Sequence, residues 1–254
     1  MMYTQNKFRI VSKKAIGRDI YSFEIHCPVV AQAAMPGQFV HIRANGFTLR
    51  RPISIAGIGE TTLRIVFEIR GEGTAEIARL NEGDLIDMLA PLGHGFTLMP
   101  EAKKVVLIGG GIGTPPMLPL AEYYGGRATV ISGFRNASAM ILQEDFKKTG
   151  AETILCTDDG STGIHGFVTE PLKELAAKGG IDAVYACGPM PMLKNIAAIC
   201  KENGIYCEIS LEERMACGIG ACLGCACRTI KNDEEYFAHV CKDGPVFKAE
   251  EVLF

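Results

Sequence analysis

The sequence has little net charge and no long apolar segment. Its formal net charge is −3 over 254 residues, and it contains no basic run of the kind that binds nucleic acid. No stretch approaches the roughly 18 consecutive apolar residues of a membrane-spanning helix. The first ten residues lack the apolar core of a secretory signal. We therefore expect a soluble, cytoplasmic protein that binds neither nucleic acid nor membrane.

The sequence also lacks a histidine pattern that would ligate a metal. Its five histidines have no ligand spacing and no paired Cys-His arrangement of a Rieske centre, so we expect them to be structural or at the surface. The ten cysteines differ, because thiols in a reducing compartment stay free or bind metal. Four of them lie in strand or helix patterns and are expected to be buried thiols: Cys27, Cys156, Cys200 and Cys207.

Other cysteines are concentrated in the segment 217–227, with one more at Cys241. Four residues separate Cys217 from Cys222 and two separate Cys222 from Cys225, which is the plant-type ligand spacing of a [2Fe–2S] cluster. The glycines between them suit a loop that turns sharply and brings backbone N–H groups close to sulfur. The pattern predicts an iron–sulfur cluster held by Cys217, Cys222, Cys225 and Cys241.

Two other uses of these cysteines stay open. Zinc also takes four thiolates, but structural zinc sites usually arrange them as two separated pairs rather than as three and one. Disulfides are disfavoured because the sequence has no secretory signal and is too long to need covalent staples. We interpret Cys227 as a bystander or spare ligand, and its replacement of Cys225 as the less favoured alternative.

The first hundred residues predict short strands separated by turns. We expect strands at 7–11, 21–26, 38–42 and 63–69, and a single helix at 74–80. Turns that contain glycine or proline separate these strands. Many short strands at this spacing are typical of a small antiparallel barrel.

After residue 100 the pattern changes to alternating strands and helices. The predicted strands are 105–108, 129–132, 153–156, 183–187 and 206–209, and the predicted helices are 115–124, 137–148, 168–178 and 190–202. This alternation predicts a parallel sheet covered on both faces, which is a nucleotide-binding architecture, although a fold alone does not assign function. The segment 210–254 is too short for a core of its own, so bound metal would contribute its folding energy.

A glycine-rich turn, Gly109-Gly110-Gly111-Ile112-Gly113-Thr114-Pro115-Pro116, follows the first strand of the alternating region. Glycines there let a diphosphate approach the backbone at the positive end of a helix. The turn is not a strict dinucleotide fingerprint, because Thr114 replaces the last glycine, and a turn without a ligand stays an alternative. Cys187-Gly188-Pro189 ends a later strand at the same edge, where open α/β sheets bind their ligands.

The sequence does not separate NAD from NADP. An acidic residue about 20 positions after the glycines would normally bind the ribose hydroxyl of NAD. Here Gly133-Phe134-Arg135 occupies that region, and no carboxylate follows until Glu144. An arginine would accommodate a 2′-phosphate instead.

In the strand-rich region, Arg50-Arg51-Pro52-Ile53-Ser54-Ile55 joins two cations to a strand-like segment. Arginine can clamp a diphosphate through two hydrogen bonds, and the serine hydroxyl can hydrogen-bond a ring nitrogen. A solvated arginine pair before an edge strand is the alternative, and these residues alone favour it slightly. Gly71-Glu72-Gly73-Thr74, before the predicted helix, is a second candidate for binding phosphate.

These motifs give the chain a resemblance to a known superfamily. The chain resembles the ferredoxin–NADP reductase superfamily, because it contains four motifs in this order: Arg51-Pro52-Ile53-Ser54, Gly109 to Pro116, Cys187-Gly188-Pro189 and the cysteine cluster. The stretches 211–217 and 241–247 are similar, more narrowly, to the electron-transfer subunits of two-subunit, NAD-dependent (type B) dihydroorotate dehydrogenases. The resemblance covers the whole chain.

The resemblance implies three domains and two bound cofactors. The domains are an FAD-binding β-barrel at 1–99, an NAD-binding α/β domain at 100–209 and a [2Fe–2S] module at 210–254. The implied FAD contacts are Arg51, Pro52, Ile53, Ser54, Val66, Phe67, Glu68, Gly73 and Thr74. The implied contacts for NAD, an exchangeable substrate, are Gly110, Gly111, Cys187, Gly188 and Pro189. Ile53 departs from the aromatic residue of many members, and Phe67-Glu68 departs from a Tyr-Arg pair.

The resemblance also implies a partner. A subunit that holds FMN would oxidise dihydroorotate to orotate in de novo pyrimidine (UMP) biosynthesis, and this chain would carry the electrons through the [2Fe–2S] cluster and FAD to NAD⁺. Two copies of each subunit would form a heterotetramer. No residue of this chain is a candidate for the base that deprotonates dihydroorotate, so we do not expect the chain alone to oxidise it. The expected partner face is an exposed cluster edge and the apolar tail at 246–247 and 252–254.

Two other functions stay open. Within the same class, the chain would be the FAD/[2Fe–2S] subunit of a ferredoxin–NADP reductase, a sulfide dehydrogenase or a hydrogenase, which share this architecture. From a different class, it would be a zinc-stabilised binding module with a vestigial nucleotide-binding fold. The cofactor content of the purified protein distinguishes the zinc-stabilised binding module from the flavin and iron–sulfur subunits. The identity of the partner distinguishes those subunits from one another.

Overall fold

The computed structural model describes residues 3–254 and divides the chain into two compact units. The first unit contains the chain up to Gly95, Glu212–Cys227 and Phe237–Val246, and the second contains Phe96–Leu211, Arg228–Tyr236 and Phe247–Phe254. The three domain ranges expected from the sequence stay a prediction. All four cysteines predicted to bind the cluster belong to the first unit.

Six strands form the framework of the first unit. They are β1 (Thr4–Gly17), β2 (Ile20–His26), β3 (Phe39–Ile42), β4 (Arg51–Ile58), β5 (Thr62–Glu68) and β6 (Leu85–Leu92). The strands close into an antiparallel barrel in the order β1-β2-β5-β4-β3-β6. Inward-facing apolar side chains such as Phe23, Ile55 and Ile65 fill it. The predicted antiparallel barrel is confirmed.

Two short helices complete this unit. The first, α1 (Pro28–Ala33), is missing from the sequence prediction, because six residues are too few to show helical periodicity. The second, α2 (Glu72–Ala78), begins two residues before its predicted start. Thr74 fixes that start, because its hydroxyl accepts a hydrogen bond from the Arg70 N–H at 2.9 Å and donates to the Gly71 carbonyl at 3.0 Å.

The second unit is built on a sheet of seven strands. They are β7 (Val105–Gly110), β8 (Ala128–Phe134), β9 (Glu152–Thr157), β10 (Ile164–His165), β11 (Ala183–Cys187), β12 (Tyr206–Ser210) and, after a two-stranded hairpin, β15 (Val246–Lys248). The hairpin consists of β13 (Ala226–Lys231) and β14 (Glu234–His239). The order is β10-β9-β8-β7-β11-β12-β15, and the pairs from β10 to β12 are parallel. The predicted parallel sheet is confirmed.

The helices of this unit are α3 (Leu118–Tyr124), α4 (Gln143–Lys148), α5 (Thr169–Lys178) and α6 (Met190–Glu202). The single helix predicted at 137–148 is wrong. A 3₁₀ turn covers Ala137–Ala139, with the Asn136 side chain accepting a hydrogen bond from the Ala139 N–H, and the chain then takes a left-handed conformation at Leu142 before α4. The helix predicted from residue 115 likewise starts with a 3₁₀ turn, Pro115–Met117.

The apolar residues near the end of the chain do not form the predicted exposed face. Val246, Phe247 and Val252 are all buried, and only Phe254 is exposed. Strand β15 belongs to the seven-stranded sheet, so these side chains pack in the fold instead of facing a partner.

Within residues 3–254, no helix combines the length and apolarity needed to cross a membrane.

Candidate functional site

The cysteine-rich segment is anchored to the end of barrel strand β6. The His94 N–H donates to the Gly244 carbonyl at 2.6 Å. A Cβ on Gly93, which has φ +74, would lie 2.5 Å from Pro245 Cδ, so only glycine fits there. These contacts hold the return segment with Cys241 against the barrel.

The cysteine loop, residues 217–227, places backbone N–H groups around the predicted ligand sulfurs. Cys217 Sγ accepts from the N–H groups of Ile219 at 3.4 Å, Ala221 at 3.3 Å and Cys222 at 3.4 Å. Cys241 Sγ accepts from the Gly220 N–H at 3.1 Å, and Cys225 Sγ accepts from the Cys241 N–H at 3.4 Å. Such donors stabilise negative charge on sulfur, which metal-bound thiolates carry.

These contacts lower the pKa of one thiol in particular. Burial disfavours the Cys217 thiolate, but the N–H groups of Ile219, Cys222 and Ala221 outweigh it and lower the pKa of Cys217 to about 6. At Cys227, burial raises the pKa to about 11, and the carboxylate of Glu213 adds to the effect. Burial raises the pKa of Cys241 as well, to about 12, so of these three thiols only Cys217 favours the thiolate before metal binds.

Four cysteine thiols match the donor set of a [2Fe–2S] cluster. Among residues 3–254, no three histidine, cysteine or acidic side chains are gathered as ligands of one metal ion. A [2Fe–2S] cluster shares four thiolates between two irons, so its ligands need not converge on one point. Cys225 and Cys241 are buried whereas Cys222 is exposed, so the loop has an inner side and an outer edge.

The residues predicted to bind flavin lie on one part of the barrel. They occupy the adjacent strands β4 and β5 and the start of α2. The Arg51 guanidinium lies over the Phe47 ring, 5.1 Å from its centroid. It also packs directly on Gly73, so that a Cβ at Gly73 would collide with it. A fixed cation beside a bare glycine backbone is a fitting cradle for a diphosphate.

The other predicted flavin contacts contribute in different ways. Phe67 points into the barrel core, where its ring packs edge-on against Phe23 at 5.2 Å, so only its backbone is available to a ligand. Glu68 forms an ion pair with Arg70 at 2.9 Å. The Thr74 hydroxyl is already hydrogen-bonded at the start of α2. Their assignment to flavin stays a prediction.

The residues predicted to bind nicotinamide meet at the carboxyl edge of the parallel sheet. Gly109 of β7 is directly paired with Cys187 of β11, and Gly110 is paired with Gly133 of β8. A Cβ on Gly113 would lie 2.5 Å from the Cys187 carbonyl oxygen, so the two loops touch backbone to backbone. Open α/β sheets bind their ligands at this edge.

Replacing Gly113 by alanine is expected to lower the free energy of unfolding by about 1–3 kcal/mol, because the added methyl group must displace the Cys187–Gly188 backbone. Urea unfolding of the purified chain measures the change. Gly126→Ala is the matched control, because its Cβ would meet only the Gly150 carbonyl oxygen at 3.7 Å, and it should change the free energy by less than about 0.5 kcal/mol. Equal effects of the two changes would contradict the close packing at Gly113.

The sequence patterns assigned no role to three residues that lie at these sites. Met192 of α6 lies against both Gly110 and Gly188. The Thr114 hydroxyl is buried beside Gly109 and has no hydrogen-bond partner within residues 3–254. His41 is buried against the cysteine loop, where burial lowers the pKa of its imidazole to about 4. The position of Met192 on the inner face of a helix is a signal that the sequence contains. No local sequence pattern indicates that His41 lies at the site.

Comparisons with known proteins agree with this architecture. The family model for the iron-sulfur cluster binding domain of dihydroorotate dehydrogenase B matches residues 212–253, which confirms the predicted iron–sulfur cofactor. A solved NADH-dependent reduced ferredoxin-NADP oxidoreductase, studied for flavin-based electron bifurcation, superposes with a TM-score of 0.85. It is 32% identical, and the alignment covers 96% of this chain and 89% of that one.

Curated relatives match the chain over nearly its whole length. A protein of Caldanaerobacter subterraneus subsp. tengcongensis is 40% identical over 250 residues, covering 98% of each chain. One of Fusobacterium nucleatum subsp. nucleatum is 42% identical over 249 residues, covering 93% of this chain and 94% of the relative. Both are described as dihydroorotate dehydrogenase B (NAD(+)), electron transfer subunit. The chain therefore belongs to the family of electron transfer subunits of NAD⁺-dependent dihydroorotate dehydrogenase B.

Proposed function

We propose that the chain transfers electrons from a dihydroorotate-oxidising partner that contains FMN to NAD⁺, through a [2Fe–2S] cluster and FAD. The observation that carries this proposal is the packing of the cysteine loop and the flavin-binding face of the barrel within one compact unit. FAD, when bound, links the one-electron chemistry of a cluster to the two-electron chemistry of NAD⁺.

Four cysteines are proposed to hold the cluster: Cys217, Cys222, Cys225 and Cys241. Backbone N–H groups stabilise thiolates at three of them, Cys217, Cys225 and Cys241, and fix the loop conformation before metal binds. Cys227 stays outside this set, because Cys225 already completes the plant-type spacing that begins at Cys217 and Cys222. The cage excludes water on its inner side, where Cys225 and Cys241 are buried.

FAD is proposed to bind along β4 and β5. Arg51, whose guanidinium packs directly on the Gly73 backbone, is proposed to hold the diphosphate. The remaining proposed contacts are Pro52, Ile53, Ser54, Val66, Phe67, Glu68 and Thr74. Ser54 is half-buried on β4, so its hydroxyl is accessible to a flavin ring. Ile53 is buried in the barrel core and gives the flavin no stacking surface.

NAD⁺ is proposed to bind at the carboxyl edge of the parallel sheet, at Gly110, Gly111, Cys187, Gly188 and Pro189. Gly111 has φ +54, and a side chain at that position would meet nothing within 4 Å, so its surroundings are open to a ligand. Gly188 lets the chain turn directly after β11. The same edge carries the buried hydroxyl of Thr114, which has no partner in the protein.

The outer edge of the cysteine loop is proposed to face the partner subunit. Leu223 is 61% exposed and Ile219 is 39% exposed, and the thiol of Cys222 is also exposed. An apolar rim around one ligand is suited to a protein contact that shields the site from water. The assembly is proposed to contain two copies of each subunit and to be cytoplasmic.

The cofactor content of the purified chain tests this proposal. An anaerobic absorbance spectrum should show flavin bands and broad iron–sulfur absorption, with about one FAD and two irons per chain. A colourless protein that contains zinc and no flavin would contradict the proposal and support the zinc-stabilised binding module.

The structural similarity to an NADH-dependent reduced ferredoxin-NADP oxidoreductase supports a second candidate function. A chain acting in such an enzyme would have a different electron-exchanging partner and the same cofactors. The partner separates the two functions. Affinity purification from the source cells should recover an FMN protein that oxidises dihydroorotate, and recovery of a ferredoxin-reducing partner instead would favour the second function.

A further inference from the structure

His41 combines complete burial with poorly satisfied polar atoms. Its side chain is 0% exposed, and within residues 3–254 neither Nδ1 nor Nε2 makes a hydrogen bond of good geometry. The backbones of Arg50 and Cys217 nevertheless lie close enough to the ring to oppose the effect of burial on its pKa. Buried polar groups are nearly always hydrogen-bonded, so the imidazole is placed to interact with the backbone beside Cys217.

The alternation of β3 directs this ring away from the barrel core. Val40 and Ile42 point into the core, so His41 between them points outward. Its cross-strand partner on β4 is Pro52, which therefore shares its face and is one of the proposed flavin contacts. Two residues along, Phe39 is paired with Ser54 in the same way.

The cysteine loop covers the other side of the ring. A Cβ at Gly218 would lie 2.5 Å from His41 Nδ1 and 3.2 Å from Cε1, so the imidazole rests directly on the Gly218 backbone. Gly218 has φ +75 and immediately follows Cys217, the first proposed ligand. The ring thus lies between the flavin-binding face of the barrel and the cluster-binding loop, all within one unit.

We propose that His41 is a positioning residue for the iron–sulfur site, and that its imidazole holds the Cys217–Gly218 backbone against the strand pair β3–β4. This inference rests on the proposed function, because it concerns the loop proposed to hold the cluster. The imidazole faces the Cys217–Gly218 backbone and not the barrel core. Residues that support metal ligands in this way typically change metal affinity 10–100-fold when they are replaced.

Two replacements of His41 separate this role from simple packing. His41→Leu keeps a buried side chain but removes both nitrogens, and His41→Gln keeps a polar amide. In the holoprotein, His41→Leu is expected to lose its cluster absorbance to a chelator about 10-fold faster than the wild type. It should also have an altered EPR spectrum of the reduced cluster. His41→Gln should be closer to the wild type in both measurements.

The stability of the metal-free chain gives an independent comparison. Because His41→Leu removes unsatisfied polar atoms, it should leave the melting temperature of the metal-free chain unchanged or raise it. His26→Leu, at an exposed position of β2, is the matched control and should behave as the wild type throughout. Unchanged cluster retention and EPR spectrum in His41→Leu would overturn the proposal. So would equal loss of stability with and without metal, because that result indicates packing alone.

A change on the loop side keeps the test decisive if His41→Leu does not fold. Gly218→Ala pushes a methyl group onto the imidazole, whereas Gly46→Ala introduces a side chain at a similar φ of +78 with nothing within 4 Å. Gly218→Ala should reproduce the faster cluster loss and the spectral change, and Gly46→Ala should show neither. Equal behaviour of the two variants would overturn the proposal. Absence of a cluster from the wild type would instead contradict the proposed function.

Discussion

Cys225→Ser is expected to abolish cluster binding, whereas Cys227→Ser, two residues further on, should leave about two irons per chain. Cys225 is buried beside Cys241, and its Sγ accepts the Cys241 N–H at 3.4 Å. Serine cannot supply the thiolate that iron requires. Cys227 lies outside the plant-type spacing that Cys225 completes, so its replacement should not remove a ligand.

Iron and sulfide analysis of the two variants, purified anaerobically, measures this difference. Flavin content is the internal control, because both variants should retain FAD on the barrel. The opposite pattern, with cluster lost from Cys227→Ser and kept in Cys225→Ser, would show that Cys227 is the fourth ligand. Loss in both variants would indicate that the strand β13 must be intact for the loop to form.

Arg51→Leu is expected to remove FAD from the chain while leaving the cluster in place. The guanidinium is fixed over the Phe47 ring and against Gly73, so it offers a diphosphate a cation that has already lost its conformational freedom. Arg51 is half-buried, and a hydrogen bond to a charged group typically contributes about 1.5–3 kcal/mol, so its removal should weaken flavin binding by a factor of about 10 or more.

Flavin fluorescence after dilution of the purified variant measures the release of FAD. Arg79→Leu is the matched control, because Arg79 makes only an exposed ion pair with Glu76 on α2 and should retain flavin. The absorbance of the iron–sulfur cluster should be equal in both variants. Full flavin retention by Arg51→Leu would show that Arg51 does not bind the diphosphate.

Much of the fold follows from local sequence patterns. Short alternating strands predict the barrel, and the alternation of strands with helices predicts the parallel sheet, because both patterns depend on which face of each element is buried. Elements too short to repeat their period are missed. Helix α1 has six residues, fewer than two helical turns, and β10 has two residues, so neither shows a repeating pattern. The break at Leu142 depends on a left-handed backbone that a leucine seldom adopts.

The candidate site is predictable where its chemistry lies in contiguous motifs. The spacing of Cys217, Cys222 and Cys225 indicates a cluster without any knowledge of the fold, and the matching family model confirms it. The contact of His41 with Gly218 cannot be predicted in this way, because the two residues are distant in sequence and meet only after the loop packs on the barrel. The buried apolar tail at 246–247 shows the same limit, because apolar residues suit a core as well as an interface.

Reconstitution of the coupled reaction tests whether this chain carries electrons from dihydroorotate oxidation to NAD⁺. The purified chain alone should neither form orotate from dihydroorotate nor reduce NAD⁺ with it. After addition of the FMN-containing partner subunit, dihydroorotate should reduce NAD⁺ with one NADH formed per orotate. Orotate formation by the chain alone would contradict this electron-transfer role. The role would also be contradicted if the partner oxidised dihydroorotate but no NADH formed after this chain was added.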